Sequence, residues 1–217
     1  MIEIRTGDAM GADLLVIPVY GDRVIASDVD GAPDLEAISD VLDRHDFTGK
    51  HGQTFFVQTP EGPTPEALLV GLGDEVDAEV LRRAAGSAAR AAKLYVSVAT
   101  ALHDIGIDGG AGAVVLGTIL GAYSFDEYKS EPKKSKVASL ILVGGDQSED
   151  EIEDARRVAH GVVLARDLVN RPAADKPPAA LADVASGLST DVEVKVYDEQ
   201  EIAEAGFGGL IAVNLGA

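Results

Sequence analysis

Short apolar runs, bounded by glycine, proline or acidic residues, alternate along the chain with longer stretches of helical period. Residues 2–5 and 13–19 read as strands. The second (DLLVIPV) is nearly all apolar, the mark of a strand buried on both faces. Residues 34–45 (DLEAISDVLDRH) space Leu35, Ile38 and Leu42 by three and four, which predicts a helix with one apolar stripe. Residues 53–58 read as a strand, and residues 67–70 as a short buried strand stopped by Gly71-Leu72-Gly73-Asp74. Residues 77–92 (DAEVLRRAAGSAARAA) predict a strong helix. Its first turn carries acids, where the macrodipole favours them, and its alanines suit close packing on a sheet. A strand follows at 94–100. Residues 109–123 (GGAGAVVLGTILGAY) are apolar on nearly every side and rich in glycine. The segment falls short of the roughly 20 residues that span a bilayer, so a buried helix with close backbone approach is expected. A strand at 137–143 closes on Gly144-Gly145, and residues 149–170 read as one long helix.

From the second strand onward the order is β-α-β-β-α-β-α-β-α, with buried rather than alternating strands. That pattern predicts an α/β domain of three layers, a mixed, mostly parallel sheet with helices on both faces. The domain is expected over 1–148, with a connecting helix at 149–171 leading away from it. Beyond Asn170 the pattern restarts at 172–217. Pro178 opens a helix and Gly187 ends it. Residues 191–197 (DVEVKVY) alternate Val192, Val194 and Val196 as a half-buried strand. Residues 198–205 form a short helix with Asp198 and Glu201 in capping-box spacing, and 208–213 are apolar. The 46 residues after Arg171 are too few to bury a core of their own. They finish on GGLIAVNLGA, unlike a solvated tail, and the expectation is that the second domain is truncated here.

Composition narrows the function classes. Hydrophobic residues make up 46% and aromatic residues 5%, with no Trp, so the core rests on Ala, Val, Leu and Ile. Lys and Arg number 18 against 37 Asp and Glu, a net charge of −19. Binding to a phosphate backbone needs clustered cations, so a nucleic-acid partner is not expected. The one local basic cluster, residues 129–136 (KSEPKKSK), reads as a solvated connection. The acidity is most simply a solubility feature. Cysteine is absent, which removes disulfides, thiolate nucleophiles and Cys-based metal sites and fits a reducing compartment. Residues 14–19 are too short an apolar run for a signal peptide or membrane span, so no membrane partner and a cytoplasmic location are expected.

Each candidate for chemistry has a plainer reading. Gly71-Leu72-Gly73-Asp74 could open a phosphate loop, but it lacks a third glycine at the required spacing and precedes Asp77 and Glu79. Gly144-Gly145-Asp146 likewise runs into residues 149–151, all acidic. Both read as turns. Thr48-Gly49-Lys50 has the wrong glycine spacing for a P-loop. His45, His51, His103 and His160 fall on different elements with no ligand spacing, and read as surface or cap residues. No GxSxG elbow is present. The residues therefore assign no catalytic, cofactor-binding or metal-binding position.

Four segments, in order, carry a family likeness: residues 69–74 (LVGLGD), 117–130 (GTILGAYSFDEYKS), 165–170 (ARDLVN, then Pro172) and 206–217 (GFGGLIAVNLGA). Together they resemble the leucyl aminopeptidases, the cytosol aminopeptidase family. Gly49-Lys50 after Phe47-Thr48 fits the family's weak N-terminal pattern. The likeness spans essentially the whole chain and is most specific in ARDLVN-x-P and in Phe125-Asp126-x-Tyr128-Lys129-Ser130. One departure is Arg171 before Pro172 and Asp175 beyond it, where relatives usually carry a smaller residue and Asn.

What the resemblance implies is a macro-domain-like N-terminal domain joined by a long helix to a two-metal catalytic domain. The parent would use two zinc or manganese ions to hydrolyse peptides from their N-terminus, as a homo-hexamer. The family's metal and catalytic motifs, V-G-K-G, F-D-S-G-G and N-T-D-A-E-G-R, do not occur here. No site residue carries over, and the 217-residue chain is expected to hold no cofactor and to be inactive, serving assembly or regulation. Two rival expectations are a stand-alone macro-like module for a nucleotide or ADP-ribose, and a DNA-binding role, which the charge opposes.

Overall fold

The computed structural model describes residues 2–132, 134–145, 147–188 and 193–215. It divides into two units, Met1–Asp167 and Leu168–Ala217. In the first, six strands form one sheet: β1 (Glu3–Gly7), β2 (Leu14–Tyr20), β3 (Thr54–Gln58), β4 (Glu66–Gly73), β5 (Ser97–Thr100) and β6 (Ser139–Val143), in the order β1-β6-β5-β2-β4-β3. All neighbours are parallel except the edge pair β3–β4. The helices are α1 (Ser39–Arg44), α2 (Ala78–Ala91), α3 (Gly110–Ala122) and α4 (Glu149–Asn170).

Two cores flank the sheet because successive strand residues point to opposite faces. Leu14, Val16, Leu68, Val70, Leu140 and Leu142 pack with residues of α2, α3 and α4, among them Leu81, Val114, Val115 and Ala159. Leu15, Ile17, Val19 and Leu69 face the other way, onto Val29, Leu42 and Phe47. Leu42 is the buried residue of α1. The unbroken apolar run in β2 thus has a simple cause: Leu14 to Val19 are buried on both sides.

Several elements differ from expectation, each for a local reason. The helix expected from residue 34 begins at Ser39. The Asp34 carboxylate accepts from the amides of Glu36 (3.0 Å) and Ala37 (3.2 Å), a side-chain turn that competes with helix. β4 is not stopped by the glycines but continues through Gly73. A Cβ on Gly71 would lie 2.1 Å from the Lys50 carbonyl oxygen, so glycine there lets the 49–50 backbone cross the strand. β5 starts late, where the Asp13 carboxylate accepts from the amides of Val96 (3.0 Å) and Ser97 (2.9 Å).

The second unit is helical among its described residues: α5 (Pro178–Ser186), α6 (Glu199–Glu204) and α7 (Gly208–Asn214). The Asp198–Glu201 capping box is formed, with Glu201 amide to Asp198 Oδ1 at 2.8 Å and the reciprocal bond at 3.1 Å. The strand expected at 191–197 is absent over 193–197, and residues 191–192 lie outside the described residues. Val194 and Val196 stand exposed; without a neighbouring strand their alternation has nothing to pair with.

Candidate functional site

Parallel sheets bind ligands at the carboxyl ends of their strands. Here that edge is acidic. A groove of about 500 Å³ beyond β2 and β4 is lined by Tyr20, Asp22, Asp74, Val76 and Ile107, and its two carboxylates oppose a phosphate. The nearby glycines serve packing. Gly49 has φ +76° and a would-be Cβ 1.9 Å from the Tyr20 carbonyl oxygen. The Thr48 and Lys50 amides are already spent: both donate to Gln53 Oε1, at 2.9 and 3.1 Å, while Gln53 Nε2 donates to the Asp46 carbonyl. Gly144 and Gly145 form a left-handed turn, with φ +72° and +67°, against Asp104 and His103. Asp146 lies outside the described residues.

The histidines do not converge. His45 caps the C-terminus of α1 and its ring lies 5.2 Å from that of Phe55. His160 is exposed on α4, and His51 lines a groove of arginines. His103 corrects the surface reading, being only 6% exposed. Its Nε2 lies 3.0 Å from the Gly144 carbonyl and its buried Nδ1 has no partner among the described residues. The sequence hid this because the residue follows a strand end that only β6 and its turn enclose. Burial lowers the His103 pKa against the opposing pull of the Gly144 carbonyl, Asp104 and Glu151. Among the described residues no three His, Cys, Asp or Glu form a group that could hold a metal ion. The described side chains do not fit a two-metal centre.

The basic stretch at 129–136 is partly structural. Lys129 pairs with Asp126 at 2.7 Å, and the Lys136 amide donates to the Lys93 carbonyl. The specific motifs turn out to be joints. Asp126 is buried and accepts from Lys129 Nζ (2.7 Å) and Ser124 Oγ (2.8 Å). The Lys129 bond, then that of Ser124, holds its carboxyl below the ordinary aspartate range, and Phe125 packs on Tyr128 at 5.8 Å. Just before, Tyr123 reaches α4: its hydroxyl donates to Asp167 Oδ1 at 2.7 Å. Arg166 lies over the Tyr123 ring at 5.5 Å and donates to the Leu120 carbonyl. The Arg-Asp of ARDLVN therefore fastens the end of α4 to the end of α3. Local sequence does not record that the two motifs meet, since 44 residues separate Tyr123 from Asp167.

Residues 16–132 match the model of the cytosol aminopeptidase family's N-terminal domain, and residues 163–217 match the model of that family's catalytic domain. The chain belongs to the cytosol aminopeptidase family. Over 226 aligned residues it is 36% identical to a probable cytosol aminopeptidase of Mycobacterium bovis BCG, with 96% of this chain and 44% of that relative covered. The chain thus spans less than half the length of this relative. Among solved structures it is similar to a tomato leucine aminopeptidase mutant, at TM-score 0.75 and 28% identity over 94% of this chain and 46% of the other. It is also similar to the bottromycin maturation enzyme BotP, at TM-score 0.75 and 27% identity over 92% and 42%. The fold is accordingly that of the N-terminal region of the leucine aminopeptidases. The motif joints belong to its frame, as Asp126 falls within the N-terminal match and Arg166 and Asp167 within the catalytic one.

Proposed function

We propose that this chain is the N-terminal region of a metal-dependent leucyl aminopeptidase that removes N-terminal residues from peptides in the cytoplasm. Residues 1–148 form its macro-like domain, 149–171 its connecting helix and 172–217 the first elements of its catalytic domain. The observation that carries this reading is the ordered match to both domain models together with coverage of only 44% of a relative's length. Zinc or manganese would be held by residues of the longer protein, since those described here do not fit a metal centre; BotP has been solved in complex with Mn. The chain itself supplies no catalytic, cofactor or metal position. It serves assembly, as part of a hexamer, and access to the active site. The acidic edge at Asp22 and Asp74 speaks against a nucleotide-binding module.

Leucine-anilide hydrolysis with added manganese tests the assignment. The 217-residue chain is expected to be inert, whereas the protein read on through the N-T-D-A-E-G-R motif is expected to turn over. Turnover by the 217-residue chain, or an inactive longer protein with metal bound, overturns it.

A further inference from the structure

One groove reverses the sign of this acidic molecule. It encloses about 330 Å³ where α2 and α3 cross, with Arg82, Arg83, Arg90 and Arg166 on its walls. Its floor is backbone. A Cβ on Gly117 would meet the Arg82 carbonyl oxygen at 2.1 Å, and one on Gly121 the Gly86 carbonyl oxygen at 2.6 Å. At these two points the helices approach so closely that backbone meets backbone.

Among the described residues the four guanidiniums have one carboxylate between them. Glu79 accepts from Arg82 through two nitrogens (2.6 and 2.6 Å) and from Arg83 (2.7 Å). Arg90 donates to the Ser87 hydroxyl at 3.1 Å. Arg166 is held by the Leu120 carbonyl at 3.2 Å and by the Tyr123 ring. Neither has an ion-pair partner among the described residues, although acids outnumber cations two to one. Like charges gathered in one concavity repel one another and focus a positive field there. Guanidinium forks pair with planar carboxylates and with phosphates. The volume is that of roughly ten waters, room for more than one anionic group. The surrounding charge of −19 would repel a long polyanion passing over it.

The geometry points to a binding site for a compact polyanion carrying at least two phosphate or carboxylate groups, gripped by Arg90 and Arg166 and steadied by Arg82 and Arg83. The site is independent of the aminopeptidase assignment.

Calorimetric titration of the 217-residue chain at constant ionic strength tests it, with inorganic pyrophosphate in one arm and citrate in the other. Saturable heat is expected from at least one, and the tighter of the two names the ligand as phosphoryl or carboxylate. The R90Q/R166Q double variant should bind at least about tenfold more weakly, or 1.4 kcal/mol. R157Q on α4, outside the groove, should bind as the unaltered chain does. R90K, which keeps the charge and loses the fork, should also weaken binding and stands in if the double variant does not fold. Absence of saturable heat in both arms overturns the site. So does undiminished affinity in a folded double variant, or in R90K where that variant does not fold, or tighter binding of a single-stranded oligonucleotide than of either small anion.

Discussion

Asp126 and His103 are both buried, and their surroundings treat them oppositely. Asp126 keeps its charge because Lys129 and Ser124 reach it. His103 has only the Gly144 carbonyl and the Gln147 amide on Nε2, and nothing on Nδ1 among the described residues. Desolvation therefore wins and its pKa falls. Asp104 and Glu151, the charges that face it, pull the other way without prevailing. The unfolded chain, with histidine near pKa 6.5, takes up this proton before the folded one does. Stability at His103 is therefore intact above the unfolded pKa and is lost as pH falls through it toward the lower folded value. Urea unfolding at stepped pH should show midpoints dropping from pH 7 toward 5.5. H103Q should show a shallower drop, and an equal drop in the variant would remove His103 as the cause.

Among the elements, the α2–α3 pair shows most clearly how composition becomes packing. The alanines of α2 and the glycines of α3 let the helices touch through backbone, as at Gly117 on Arg82 and Gly121 on Gly86. A methyl group at Gly117 has no space and the neighbour it meets is main chain, which cannot swing aside. G117A should cost about 1–3 kcal/mol, the usual range for overpacking a filled interior, read as a lower urea midpoint. G209A, in open space on α7, should leave the midpoint nearly unchanged. Equal effects at the two positions would show that helix preference, not crowding, governs both. The helical pattern at 109–123 was legible because glycine and apolar residues left no solvent face. Which helix the glycines serve was not, since the partner backbone lies 35 residues earlier in the chain, at Arg82 for Gly117 and Gly86 for Gly121.

At the scale of the molecule the two units differ in what they bury. Met1–Asp167 holds both cores. In Leu168–Ala217 no described residue is buried, and Leu188, Phe207, Leu210 and Leu215 stand exposed. Its capped short helices are locally well formed, but burial of apolar surface is what stabilises such elements. Segments with few buried contacts open at little free-energy cost. Limited proteolysis of the 217-residue chain should accordingly cut within 172–215 well before it cuts within 2–132. Simultaneous loss of both regions would show them to unfold as one.

The inventory of elements is legible in local pattern. Buried strands, the strong helix α2, the apolar helix α3 and the long α4 are written in local pattern. The capping box at Asp198 is written in spacing, and the family in short motifs. These are local signals, carried by residues within a turn or two of one another. Tertiary structure alone decided that β4 runs through its glycines and that His103 is enclosed. It also decided that Tyr123 meets Asp167 and that four arginines share one groove. Each of these depends on backbone or charge brought in from a distant part of the chain, and no local pattern records which neighbour will arrive.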